Sequence, residues 1–156
     1  MKETIKLLFL IGILFGAMFG LAQKPPTKPK LEYKCEVLNV YDGDTFNRCL
    51  IHLGFDRVEL MSIRLARFDA PELIGDSTEV ANGIIAKNYL IDYIAKNCQK
   101  NKFGNYLISI IPIALDPAKR IIAELYDDRG NNINDIMLKS KNVKPYTTGR
   151  GAIFKQ

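Results

Sequence analysis

The sequence has no tryptophan and one histidine, His52. Its three cysteines, Cys35, Cys49 and Cys98, form no C-x-x-C pair. The ligand spacing of a structural zinc site is therefore missing. The tyrosines and phenylalanines are dispersed, so no aromatic platform for stacking bases stands out. There is no internal repeat. The longest uncharged apolar run, residues 7–22, has 16 residues and falls short of the roughly 20 of a membrane-spanning helix.

What is present suits one globular domain. A chain of 156 residues that is 47% hydrophobic can bury a core without staples. The net charge of +5 suits a polyanionic partner but does not identify one.

The N-terminus reads as a targeting segment. Lys2 and Lys6 precede the apolar run, which ends Gly20-Leu21-Ala22. A basic start, an apolar stretch and a small-x-small ending match a secretory signal peptide over residues 1–22. The alternative is an uncleaved anchor, with residues 7–22 tethering a domain that lies outside the cytoplasm. No cysteine follows the ending, so a lipid-anchor site is not supported. Removing residues 1–22 takes out two lysines and one glutamate and leaves +4. Residues 23–30, "QKPPTKPK", form a stiff Pro/Lys linker.

From Leu31 the pattern becomes β-like. "KCEVLNVYDGDTFNRCLIHL" predicts two strands around a turn at Asp42-Gly43. "RVELMSIRLARF" predicts a third, longer strand. Val80, Ile84, Ile91, Ala95 and Cys98 form one stripe of a helix over residues 78–99, with Cys98 in the core. "YLISIIPIAL" and "RIIAELYDD" predict two more strands around an Asp-Pro-Ala-Lys loop. "NINDIMLKS" predicts a short helix, and residues 147–156 a basic tail. The order βββ-α-ββ-α is that of a mainly β, α+β fold. It suggests a five-stranded OB-type barrel over residues 31–146. Cys35 and Cys49 lie on consecutive strands and would face each other only if the turn gave that register.

Certain polar residues ask for an explanation. Asp44 is not needed by the Asp-Gly turn and opens a strand, where Asp is disfavoured. Asp69-Ala70-Pro71-Glu72 is either a solvated strand end or the edge of a site. Pro71 pushes Ala70 toward an extended conformation that can project its carbonyl. Arg64 lies between Ile63 and Leu65, where a charge needs a partner or ligand. Arg120 opens a strand after the proline loop. Each cation is by itself also compatible with a surface charge or a local ion pair. Arg64 and Asp69 are five apart, so a straight strand would point them to opposite faces. For both to serve one site, the strand must bulge or end between them.

Together these pieces resemble the staphylococcal-nuclease (thermonuclease) family. The matching segments are "VYDGDTF", "IRLARFDAPE", "DPAKRIIAELYDD" and "NINDIMLKSKNVKPY", in the family's order across residues 32–146. The resemblance implies an OB-type domain with a calcium-dependent nuclease site. It places Asp44 and Asp69 as calcium-ligating aspartates and Ala70 as a backbone-carbonyl ligand. Glu72 becomes the carboxylate that activates water, and Arg64 and Arg120 become the phosphate clamp. The implied substrates are DNA and RNA, cleaved with low sequence specificity to leave 3′-phosphorylated ends. A monomer with no protein partner is implied, secreted by its N-terminal signal. Hard oxygen ligands suit calcium, and the planar fork of arginine suits phosphate.

The sequence departs from the family at certain points. Lys119 stands where the family often has glycine, and Ala118 where some members carry an aromatic residue. Lys119 and Tyr146, near a substrate-contacting tyrosine of the family, are candidate substrate contacts. A third helix of longer members is expected to be missing, and Arg67 reads as a surface charge. The competing reading is a non-catalytic OB module that binds nucleic acid or protein, exported or membrane-tethered.

Overall fold

The computed structural model describes residues 31–146. The targeting segment, the linker and the basic tail lie outside the described residues. Strands β1 (Tyr33–Val40), β2 (Thr45–Gly54) and β3 (Arg57–Leu65) come first. A two-residue strand β4 (Phe68–Asp69) and helix α1 (Ser77–Asn97) follow, then β5 (Tyr106–Leu115) and β6 (Ile121–Tyr126). Helix α2 (Ile133–Ser140) and a short β7 (Lys144–Pro145) complete the domain. The barrel closes in the order β1-β2-β3-β6-β5, and β4 pairs with β7 outside it. Its pairings are antiparallel except β3 with β6. The domain is mainly β with helices, a closed five-stranded barrel of the OB type.

Alternation along the strands builds the core. Cys35, Val37, Phe46, Cys49, Ile51, Ile63, Leu65, Ile108, Ile110, Ala123 and Leu125 point inward and are buried. Leu90 and Ile94 of α1 and Met137 of α2 join the same core. Pro112 cannot donate to a ladder, and it sits where the β5–β6 register shifts.

Three expectations need correction. The predicted third strand does not run on to Phe68: β3 ends at Leu65, and Arg67 turns the chain with φ +80. The buried face of α1 is Gly83, Ala86, Leu90 and Ile94, not the predicted stripe. Of that stripe Cys98 is buried, whereas Ile84 is 47% exposed. The helix rests on small residues because it approaches other backbone closely. A Cβ on Gly83 would lie 2.6 Å from the Glu72 carbonyl oxygen. Gly43 is small for the same reason: a Cβ there would meet the Ala86 Cβ at 2.7 Å. Gly43 is therefore required by helix packing, since it is not among the positive-φ glycines.

The third correction is Arg67, which is no free surface charge. Its Nε and Nη2 donate to the two Glu124 carboxylate oxygens at 2.6 and 2.8 Å. Its Nη1 pairs with Asp135 at 2.7 Å.

All three cysteines are free and buried. Cys35 pairs with Ile51 and Cys49 with Val37, so the two thiols are diagonal rather than opposite. The neighbouring Cys35 sulfur and burial push the Cys49 thiol well above its ordinary range. Among the described residues, no helix is long and apolar enough to cross a membrane.

Candidate active site

The site begins in the β1–β2 connection. The N–H groups of Tyr41 and Asp42 donate to the Thr45 carbonyl at 2.8 and 3.4 Å. The Asp44 N–H donates to Asp42 Oδ1 at 2.9 Å, which fixes the turn and buries both aspartates. Asp44 Oδ2 accepts the Ala70 N–H at 2.7 Å, and Oδ1 accepts the Thr45 hydroxyl at 2.8 Å. This pins "DGDT" to "DAPE", 26 residues on.

Arg64 is brought to the same place by register, opposite Thr45 on β2 and beside Ile122 on β6. Its Nη1 lies 3.1 Å from Asp44 Oδ1, and its Nη2 pairs with Asp69 Oδ1. Its Nε donates to the Tyr146 hydroxyl at 3.2 Å. One guanidinium therefore bridges two aspartates and a tyrosine.

Arg120 enters from the β5–β6 connection. Asp116 Oδ2 accepts from its Nε at 2.7 Å, and Oδ1 from its backbone N–H at 2.9 Å. Burial acts against the Asp116 charge, yet these bonds hold its carboxyl below the usual carboxylate range. The turn requires Lys119 to adopt φ +60.

These segments converge on a cavity of about 740 Å³ lined by Arg64, Asp69, Glu72, Asp116, Arg120 and Tyr146 on its polar side. Ala114, Leu115, Pro117, Ala118 and Ile122 form the apolar side. Asp44 lies behind Arg64, and the exposed Glu72 stands at the edge. Lys119 is exposed and not among the lining residues.

Asp44 has the most unusual electrostatics. Burial pushes its carboxyl up to about 6, Arg64 opposes the rise and Asp42 adds to it. Burial also raises the Tyr146 phenol, although the Arg64 bond opposes it. Arg64 is held charged above its usual value: burial disfavours its cation, but Asp44, Tyr146 and Asp69 outweigh that.

Among the described residues, no three His, Cys, Asp or Glu side chains form a group able to hold a metal ion. Asp44, Asp69 and the Ala70 carbonyl offer two carboxylates and one backbone oxygen, a set below that count. All three are hard oxygen donors, and Asp44 is a buried acid whose charge Arg64 only partly relieves. Hard oxygen donors of this kind are the class that calcium takes.

Sequence reasoning missed Asp116 and the buried partner role of Asp42. Asp116 had a local signal, an acid four residues before Arg120. No family model matches the chain, and no curated protein matches it.

Proposed function

We propose that the chain is a thermonuclease-like phosphodiesterase that hydrolyses DNA and RNA with calcium. The supporting observation is that Arg64, Asp69, Glu72, Arg120 and Tyr146, from separate segments, line one cavity with Asp44 behind them. A binding module has no need for a carboxylate base beside two guanidinium groups.

Charge also favours a cation requirement. Two arginines, Arg64 and Arg120, face four carboxylates, Asp44, Asp69, Glu72 and Asp116, a formal balance of −2. A phosphodiester anion is repelled by that balance until a divalent cation offsets it. Asp44, Asp69 and the Ala70 carbonyl would hold calcium, which supplies charge neutralisation at the phosphate.

The protein groups divide the remaining work. Arg64 and Arg120 hold the non-bridging phosphate oxygens and stabilise the charge that builds during attack. Glu72 takes a proton from the attacking water as its oxygen bonds to phosphorus; the P–O5′ bond breaks, the departing 5′ oxygen takes a proton from solvent, and the phosphate stays on the 3′ side. Tyr146 orients Arg64 through its hydroxyl. The apolar wall of Leu115, Pro117 and Ile122 can take a sugar or base without reading its sequence. Export through residues 1–22 belongs to the same proposal, because calcium is abundant outside cells.

The test is direct. Purified protein should degrade DNA and RNA with calcium and stop when a chelator is added. No cleavage of either polymer at any calcium concentration would reject the enzyme.

A further inference from the structure

Arg67 sits in the turn that separates Arg64 from Asp69. Its φ of +80 is a conformation that L side chains rarely adopt. Its side chain is held from two other elements. Glu124 of β6 takes two of its hydrogen bonds, at 2.6 and 2.8 Å. Asn132, the N-cap of α2, takes another at 3.2 Å, and Asp135 pairs with it at 2.7 Å.

The same turn is fixed through its backbone. The Ala66 N–H donates to the Ala123 carbonyl at 3.0 Å. Asn134 Nδ2, fully buried, donates to the carbonyls of Ala66 and Ala123 at 3.1 Å each. The Arg67 carbonyl in turn accepts the Tyr146 N–H at 3.0 Å. Tyr146 and Asp69, which both contact Arg64, are thus carried by a turn gripped on its far side.

We propose that Arg67 is a positioning residue. Its tether to Glu124, Asn132 and Asp135 holds the left-handed turn that sets Asp69 and Tyr146 against Arg64. A backbone conformation this unfavourable for arginine persists because the guanidinium is bound in the planar, two-pronged way that arginine permits and lysine does not. The functional consequence rests on the nuclease reading; the conformational one does not.

Arg67→Gly is the informative variant. Glycine adopts this φ freely, so the change removes the tether without imposing strain. The full chain should be compared well below its melting temperature by hydrogen exchange and by calorimetric titration with calcium. In Arg67→Gly the amides of Tyr146 and Ala70 should exchange at least tenfold faster, with those of β1 and β2 unchanged. Calcium should bind about tenfold more weakly. Glu124→Gln should reproduce both effects, and the double variant should be no worse than either single one. Unchanged exchange at Tyr146 and Ala70 in a folded Arg67→Gly protein overturns the proposal. So does faster exchange everywhere, which marks Arg67 as a general stabiliser. If the unaltered protein binds no calcium, the nuclease reading fails, and the exchange pattern still decides the role of Arg67.

Discussion

Arg64 and Asp69 are five residues apart and form an ion pair, with Arg64 also bonded to Asp44 and Tyr146. An unbroken strand would send the two side chains to opposite faces. The chain avoids this by ending β3 at Leu65 and turning at Arg67 before β4 begins. The arginine, the acid and the tyrosine then face one cavity.

Asp44 gives a pH-dependent prediction. In the metal-free fold its carboxyl sits at about 6, against an ordinary 3.8. The folded state therefore binds this proton more tightly than the unfolded chain does. Its ionisation penalty is absent below pH ~4, grows as pH rises through the interval, and is complete above ~6. The shift corresponds to a penalty on the order of 2–3 kcal/mol. With a chelator present, raising the pH from 4 to 7.5 should shift the stability of Asp44→Asn relative to the unaltered protein in the variant's favour by that amount. Urea denaturation at the two pH values checks this. Saturating calcium should cancel that shift at pH 7.5.

Lys119 gives a second prediction. Its φ of +60 strains a side chain that does not line the cavity. Lys119→Gly should raise unfolding stability by about 1 kcal/mol, the strain relief exceeding the added freedom of the unfolded chain. The KM for DNA should change less than twofold. A larger rise in KM would restore Lys119 as a substrate contact.

Gly83 gives a third. In an open helix Gly→Ala is stabilising by about 1 kcal/mol. Here the added methyl meets backbone oxygens of Glu72 and Pro71 at 2.6 and 2.8 Å. Gly83→Ala should instead destabilise by about 2 kcal/mol, as overpacking does. It should also lower turnover, because the displaced segment carries Glu72. A higher melting temperature in a thermal scan would contradict this contact.

Much of the barrel was legible because alternation survives wherever one strand face is buried. β5 occupies residues 106–115, as its pattern predicts. The buried face of α1 was not legible. Its contact positions, Gly83 and Ala86, are small where the helix meets other backbone, so larger exposed residues such as Ile84 carried a misleading signal. The β4–β7 pair was missed because two residues carry no period. Arg67 was misread because its partner Glu124 is 57 residues away. The motif singled out Arg64, Asp69 and Glu72, and the structure brings these three to one cavity. The motif could not give the bond from Arg64 to Tyr146, 82 residues on, which depends on where β7 docks.

The most direct test of the account compares Glu72→Gln with the unaltered protein on DNA, with calcium affinity measured on both. Glu72 is exposed and its side chain makes no hydrogen bond or ion pair among the described residues, so the variant should fold and bind calcium normally. Turnover should fall by about 10²–10⁴, the scale of a lost general base. A Glu72→Gln protein that cleaves DNA as fast as the unaltered one would contradict the assignment of Glu72 as the base.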